Sequence, residues 1–462
     1  MRRNGMLIIV AVAAAALAPA ARAQDCTTPG PPPAARAPHA LRFGIAPQLA
    51  GSAGAVQQPA VPLDENASLA ALGRLRPPGR DLVIRLNRMF WSDGDEGLAR
   101  FAALTDGYAA AGYKVALQVR YHPPEGHDGD IAGWTAYVRR AVDTLAPRAA
   151  VVELSITNEG NLPGSANTSD GSYKNVPDAV VQGILAARDE ADRRGRPDLA
   201  LGFTYAYRST PQGDAKFFSD LGARGSSAFR AAVDHVGLQV YPGLFFPPAT
   251  TDARGDVIDA ATLLRTCLMP KAALGDRTAI WVTENGYATR GGTGEDRQAA
   301  DLAATVDALA ARSGTLGVDD YVYFNLRDNR STGTDLFDAV GLLFDDGREK
   351  RAFGAYRSAI ERHGAAAGTS GAVGTTTRPA LRVAVFPMHA RRRRPVLVRV
   401  RVTQGGRPVR RALVRIGRRR ARTSAVGRAF VRVRFVGRPG RRTVLATLAG
   451  SRRGTATLRV TR

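Results

Sequence analysis

Residues 151–160 read Val151-Val152-Glu153-Leu154-Ser155-Ile156-Thr157-Asn158-Glu159-Gly160. A largely apolar run of six stops abruptly at a polar turn that carries a carboxylate and closes on glycine. Such a run predicts a strand of a parallel sheet, buried on both faces. Seven more runs of this kind flank it, at 41–45, 82–86, 115–119, 201–205, 236–240, 280–283 and 321–325.

The stretches between the runs have helical spacing. Leu98, Phe101 and Leu104 fall on one helical face, as do Leu302, Val306 and Leu309. Val180, Ile184 and the nearby Leu185 follow Pro177, a residue suited to a first helical turn. Eight strand–helix units in a row predict an α/β fold of the (β/α)8 TIM-barrel type rather than an open doubly wound sheet. No glycine-rich phosphate loop follows the first run, which also disfavours a nucleotide-binding sheet.

The ends of the chain read differently. Residues 1–23 have a basic start (Arg2, Arg3), a short apolar core and the small-residue pattern Ala21-Arg22-Ala23, the marks of an export signal. The expected location is therefore secreted, with the mature chain starting near Gln24. An uncleaved anchor is the lesser reading. No later run is long enough to span a bilayer, and Asp25 before Cys26 does not suit lipid attachment. Residues 24–39 form a Pro/Ala-rich lead-in, and 40–363 hold the barrel. Residues 364–378 have the Gly/Ala/Ser/Thr composition of a linker. Residues 379–462 alternate apolar and polar positions (Val396, Val398, Val400, Val402), with Gly and Pro breaks, which predicts a small antiparallel β-sandwich.

The net charge of +24 sits in that last module. Residues 371–462 contain 26 Arg and no acidic residue, leaving 39 basic against 41 acidic residues elsewhere. The module has Phe but no Tyr or Trp, which disfavours both nucleic-acid stacking and a carbohydrate-binding module built on exposed aromatics. An anionic cell-surface polymer is the partner expected of it, and an Arg-rich spacer is the plainer reading. Cys26 and Cys267 either pair or stay as two thiols. No Cys/His cluster has metal spacing, so neither metal nor other cofactor is expected.

In a barrel, chemistry sits at the C-terminal ends of the strands. The fourth run ends in Asn158-Glu159. The seventh ends in Thr283-Glu284-Asn285-Gly286-Tyr287. Two carboxyl groups at two strand mouths suit the cleavage of a glycosidic bond, where one protonates the leaving oxygen and the other attacks or activates water. Glu153, at a different point of the alternation, reads as a structural ion-pair residue. Residues 92–96 (Ser-Asp-Gly-Asp-Glu) read as a turn capping the next helix, or a loose cation loop.

With these motifs in place, residues 41–363 resemble the clan A glycoside hydrolases, the cellulase-like barrels akin to families 5 and 39. The resemblance lies in Asn158-Glu159 after strand four, in Thr283-Glu284-Asn285-Gly286 after strand seven, and in the closing Gly341-Leu342-Leu343-Phe344 with a helix at 349–361. Gly160 stands where many members have Pro, and Phe324 or Asn325 where many have Trp, so no single family is singled out. The resemblance implies a retaining hydrolase of poly- or oligosaccharides, with Glu159 as acid/base and Glu284 as nucleophile. It implies that Tyr241 contacts the nucleophile. By position, Asn158 is expected at the sugar 2-hydroxyl, Arg85 near Glu284 and His122 at a sugar hydroxyl. Trp91, Asn285 and Phe324 complete the expected substrate-binding set. The alternative is a barrel that binds carbohydrate without cutting it.

Overall fold

The computed structural model describes residues 26, 29–31, 33–47, 60–164, 168–207, 212–244, 252–291, 294–332, 334–367, 381–404, 407–448 and 454–462. Residues 1–23, read above as an export signal, and most of 364–378, read as a linker, lie outside the described residues, as do parts of the stretches 162–175 and 242–256.

Eight parallel strands close into a barrel: β1 (Arg42–Ala46), β2 (Val83–Phe90), β3 (Lys114–Arg120), β4 (Val151–Ile156), β5 (Ala200–Ala206), β6 (His235–Val240), β7 (Ala279–Asn285) and β8 (Val318–Phe324). All eight expected runs are strands. Closure comes from five register pairs between β1 and β8, from Arg42↔Asp320 to Ala46↔Phe324. The helices of the eight units are α1 (Glu65–Leu75), α2 (Gly94–Ala110), α3 (Ile131–Leu145), α4 (Val176–Arg193), α5 (Gln212–Arg224), α6 (Ala253–Leu263), α7 (Gly294–Leu316) and α8 (Arg351–His363).

Local chemistry explains the helices. Asp64 and Asp130 cap α1 and α3 by accepting from the backbone N–H groups of Ala67 and Gly133. Pro177 stands in the first turn of α4. Leu98 and Phe101 on α2, Val180 and Ile184 on α4, and Leu302, Val306 and Leu309 on α7 are all buried in one core between strands and helices. Of residues 92–96, the first two close a short 3-10 turn (Trp91–Asp93) and the last three already belong to α2, and Asp93 makes no capping bond. It pairs instead with Arg100 at 2.5 Å. The closing helix begins two residues later than expected, at Arg351. Cys26 and Cys267 form a disulfide. It closes 241 residues of chain, and the chain-entropy model gives such a loop an upper stabilisation of about 5 kcal/mol.

The barrel interior is polar, whereas barrel interiors are usually filled by Val, Ile and Leu. On its floor Arg42 lies 2.5 Å from Asp320, 3.2 Å from Glu153 and 4.2 Å over the Trp281 ring. His235 stacks on Trp281 and reaches Glu153 at 3.2 Å. Contacts between strands that are not neighbours, such as Arg42 on β1 with Glu153 on β4, require these side chains to point inward. Arg85 on β2 sits above them, 3.8 Å from Glu153 and 3.7 Å from Glu284. Signs thus alternate from floor to mouth: Asp320, Arg42, Glu153, Arg85, Glu284. The glycines of the wall make room for these large groups. A Cβ at Gly202 would meet the His235 ring at 2.4 Å, and one at Gly237 would meet Thr283 at 2.8 Å.

The C-terminal domain has its own apolar core. Its strands are β9 (Leu381–Phe386), β10 (His389–Arg391), β11 (Pro395–Gln404), β12 (Arg407–Pro408), β13 (Leu413–Ile416), β14 (Arg419–Arg422), β15 (Arg428–Arg434), β16 (Gly440–Thr447) and β17 (Gly454–Thr461). One sheet runs β10-β17-β16-β13-β14, and the other joins β12, β11, β15 and β9. Pairing is antiparallel, as expected of a sandwich, except between β10 and β17, which run parallel.

Candidate active site

The two carboxylates reach the barrel mouth by different backbone devices. After β4 the chain turns sharply. Thr157 and Glu159 take the left-handed conformation, with φ of 70° and 46°, a strain of about 1–3 kcal/mol each that surrounding bonds must offset. Those bonds are present. Thr157 N–H donates to Val119 O, Asn158 N–H to Asp170 Oδ2, and Glu159 N–H to Thr204 Oγ1. Asp170 is fully buried and also accepts from Arg120 and from the Tyr121 N–H. The described part of the loop after β4 is thereby tied to the end of β3.

Glu284 is placed by a bulge. Leu238 pairs with Val282 but Gln239 with Glu284, so Thr283 is an extra residue in β7. Trp281 points into the barrel, and strict alternation would turn Glu284 outward. The inserted residue brings Glu284 inward instead, the use to which bulges beside functional sites are put.

Donors surround the Glu284 carboxylate. Tyr241 OH donates to Oε2 at 2.8 Å. Asn87 and Gln239 donate to Oε1 at 3.0 and 2.9 Å. Burial, then the charge of Glu284, pushes the Tyr241 hydroxyl well above its usual 10, so it remains a donor. Glu159 has the opposite surroundings. Burial first, and then the Glu284 charge, raise its carboxyl to about 8 against the pull of Arg120 and Arg85. One carboxyl is therefore held as an acid at neutral pH, and the other sits among donors aimed at its oxygens.

Each expected residue has a definite place. Glu159, Glu284, Tyr241, Arg85 and Asn158 share one network. Asn158 is the most committed of them: Oδ1 accepts from Gln118, Thr204 and Gln239, and Nδ2 donates to Thr168 O at 2.6 Å, leaving one amide hydrogen. His122 is half-buried, bonded to Ser92 Oγ at 2.9 Å and packed on Phe90 and Tyr173. Burial, then Arg120, lowers its pKa.

Three expected binding residues are spent elsewhere. Asn285 is fully buried in the barrel wall, donating to Val240 O and accepting from Tyr321 OH. Trp91 is 5% exposed and stacks on Tyr121 beside Trp134. Phe324 is fully buried, its ring stacked on Phe337 with Tyr241 at its edge. All three serve packing, because neighbouring aromatic or wall groups already cover the faces that a sugar would need.

Sequence reasoning missed Asn87, Gln118, Thr204, Gln239 and Asp170. A signal was there. Arg85 and Asn87, Gln118 and Arg120, Gln239 and Tyr241 are polar pairs two residues apart inside apolar strands. A polar side chain in such a strand has to find its partners in the barrel interior.

No protein-family model and no curated protein matches the chain. Solved structures similar to it include GH5_18 from Streptomyces cattleya in complex with GlcNAc (17% identity, 70% of this chain and 80% of that one, TM-score 0.47). Another is the GH1 β-glucosidase of Exiguobacterium antarcticum B7 (14%, 70% and 98%, TM-score 0.48). A third is a GH2 β-galacturonidase from Eisenbergiella tayi (13%, 71% and 52%, TM-score 0.46). All three are glycoside hydrolases.

Proposed function

We propose that the chain is a secreted retaining glycoside hydrolase acting on an oligo- or polysaccharide. The observation that carries this reading is the division of labour at the barrel mouth: Glu159 raised to about 8, facing Glu284 among Asn87, Gln239 and Tyr241. A carboxyl held as an acid beside a second carboxylate among hydrogen-bond donors is the pairing that glycoside cleavage uses.

In the first step a Glu284 oxygen attacks the anomeric carbon as the glycosidic C–O bond breaks, and Glu159 gives its proton to the departing oxygen. In the second, Glu159 as carboxylate takes a proton from water. The water oxygen bonds to the anomeric carbon and releases Glu284. Asn158 keeps one amide hydrogen for a sugar hydroxyl, and Arg85 carries the counter-charge beneath Glu284. The 1–23 leader would direct export, and a disulfide suits an oxidising compartment.

The test is hydrolysis of a panel of aryl glycosides by the full chain, with the first product read by proton NMR. Product of retained anomeric configuration, lost in Glu284→Gln, is the expected result. Inverted product, or activity that survives Glu284→Gln, contradicts the reading.

A further inference from the structure

The sheet formed by β9, β11 and β15 has an outer surface that the barrel chemistry does not use. Period-two alternation buries Val398, Val400 and Val402 on β11 and turns Arg399 and Arg401 outward. Register places Phe386, Arg399 and Phe430 in one row across three strands, and Ala384, Arg401 and Arg428 in the next. The two phenylalanines are 63% and 56% exposed, and Leu397 beside them 52%. The Arg399 guanidinium lies 5.2 Å from the Phe386 ring centre, and a groove runs between Phe386, Arg401 and Arg428.

This combination is specific to one side of the domain. The outer surface of the other sheet carries Arg415, Arg441 and Arg459 among Thr443, Thr455 and Thr457. Among the described residues, none of the large exposed apolar side chains lies on β13, β16 or β17. No acidic side chain occurs anywhere in residues 364–462, so the arginines have no carboxylate partner within their own domain. A ligand that answers both features must present anions and flat apolar faces side by side.

We propose that this surface binds a linear polyuronate. Its carboxylates pair with Arg399, Arg401 and Arg428, whose guanidinium forks suit carboxylate oxygens. The C–H faces of its sugar rings pack on Phe386 and Phe430. The choice of a sugar polymer over a nucleic acid rests on the reading of the barrel as a glycosidase.

The test measures binding of the full chain to immobilised polygalacturonate, to dextran and to a single-stranded oligothymidylate, at 50 and 500 mM NaCl. Expected is binding to polygalacturonate but not to dextran, weakened at least about tenfold by the added salt. Arg399→Gln/Arg401→Gln/Arg428→Gln should weaken it at least about tenfold at low salt. Arg415→Gln/Arg441→Gln/Arg459→Gln removes the same charge from the other sheet and should change it less than about twofold. Phe386→Ala/Phe430→Ala should weaken it several-fold with the salt dependence unchanged.

Equal losses in the two arginine triples would overturn the proposal, since charge alone would then explain binding. So would tighter binding to oligothymidylate, or no binding to polygalacturonate at 50 mM. Hydrolysis of a small aryl glycoside should be unaffected in every one of these variants. Failure of the binding proposal thus leaves the glycosidase reading standing, and hydrolysis that survives Glu284→Gln with polygalacturonate binding intact would show the converse.

Discussion

Glu159 and Glu284 have the same side chain and opposite surroundings, and their chemistry follows from that difference. In the proposed mechanism Glu159 has to hold a proton to act as the acid. Its carboxyl stays protonated up to about 8 because burial and the neighbouring Glu284 charge disfavour ionisation. As pH rises through that value the proton is lost, so kcat/KM should fall above about pH 8. The limb should vanish for Glu159→Ala acting on a dinitrophenyl glycoside, whose leaving group needs no proton. A limb that persists in that variant would assign it to another group. The two glutamates were legible in the sequence because each ends an apolar run at a strand mouth. The supporting residues were less so. An aromatic at a strand mouth can face the cleft or pack on a helix, and Trp91 packs because Trp134 of α3 lies beside it. That partner is 43 residues away in the chain and gives no local sign.

At the scale of elements, the strands were legible to within a few residues because parallel strands buried on both faces read as unbroken apolar runs. The bulge in β7 was not. The extra residue shows in the register of β7 with its neighbours β6 and β8, and Thr283 looks in sequence like any other strand residue. Gly286 just beyond it shows how closely the strand ends approach: a Cβ there would lie 2.2 Å from the Phe324 carbonyl oxygen. Gly286→Ala should therefore push the ends of β7 and β8 apart, lowering stability by about 1–3 kcal/mol. It should also cut kcat while the overall fold is kept. Thermal unfolding and kcat measured on the same preparation check this; unchanged kcat would mean that Glu284 is held independently of that contact.

The whole barrel is organised around a column of alternating charge that no single run of sequence displays. Glu153 is its centre, reached by Arg42, Arg85 and His235 from three other strands. Burial alone would raise its carboxyl, but His235, Arg42 and Arg85 outweigh burial and hold it at about 2, against an ordinary 4.5. A lowered carboxyl stabilises the fold above its unfolded value and stops doing so as pH falls through its folded one. Glu153 should thus contribute roughly 3 kcal/mol at neutral pH, lost between about pH 4.5 and 2. Glu153→Gln leaves the cations of the column short of an anion and should lower stability by about 3–5 kcal/mol in urea unfolding at pH 7. By contrast, the exposed Lys216–Asp220 pair should matter by less than about 1 kcal/mol. A small loss in Glu153→Gln would mean that the column is not a stabilising unit. The sequence did mark Glu153 as an ion-pair residue. It did not reveal the partners, because closure of the barrel alone brings β1, β2, β4 and β6 around one point.

The most direct test of the central claim is trapping of the covalent intermediate. The full chain is incubated with a panel of 2-deoxy-2-fluoro glycosides carrying good leaving groups, its intact mass is read, and any adduct is mapped by peptide. The account predicts one fluoroglycosyl group per chain, on Glu284, absent in Glu284→Gln. Hydrolysis of the parent glycosides without any adduct, or an adduct on a residue other than Glu284, would contradict it.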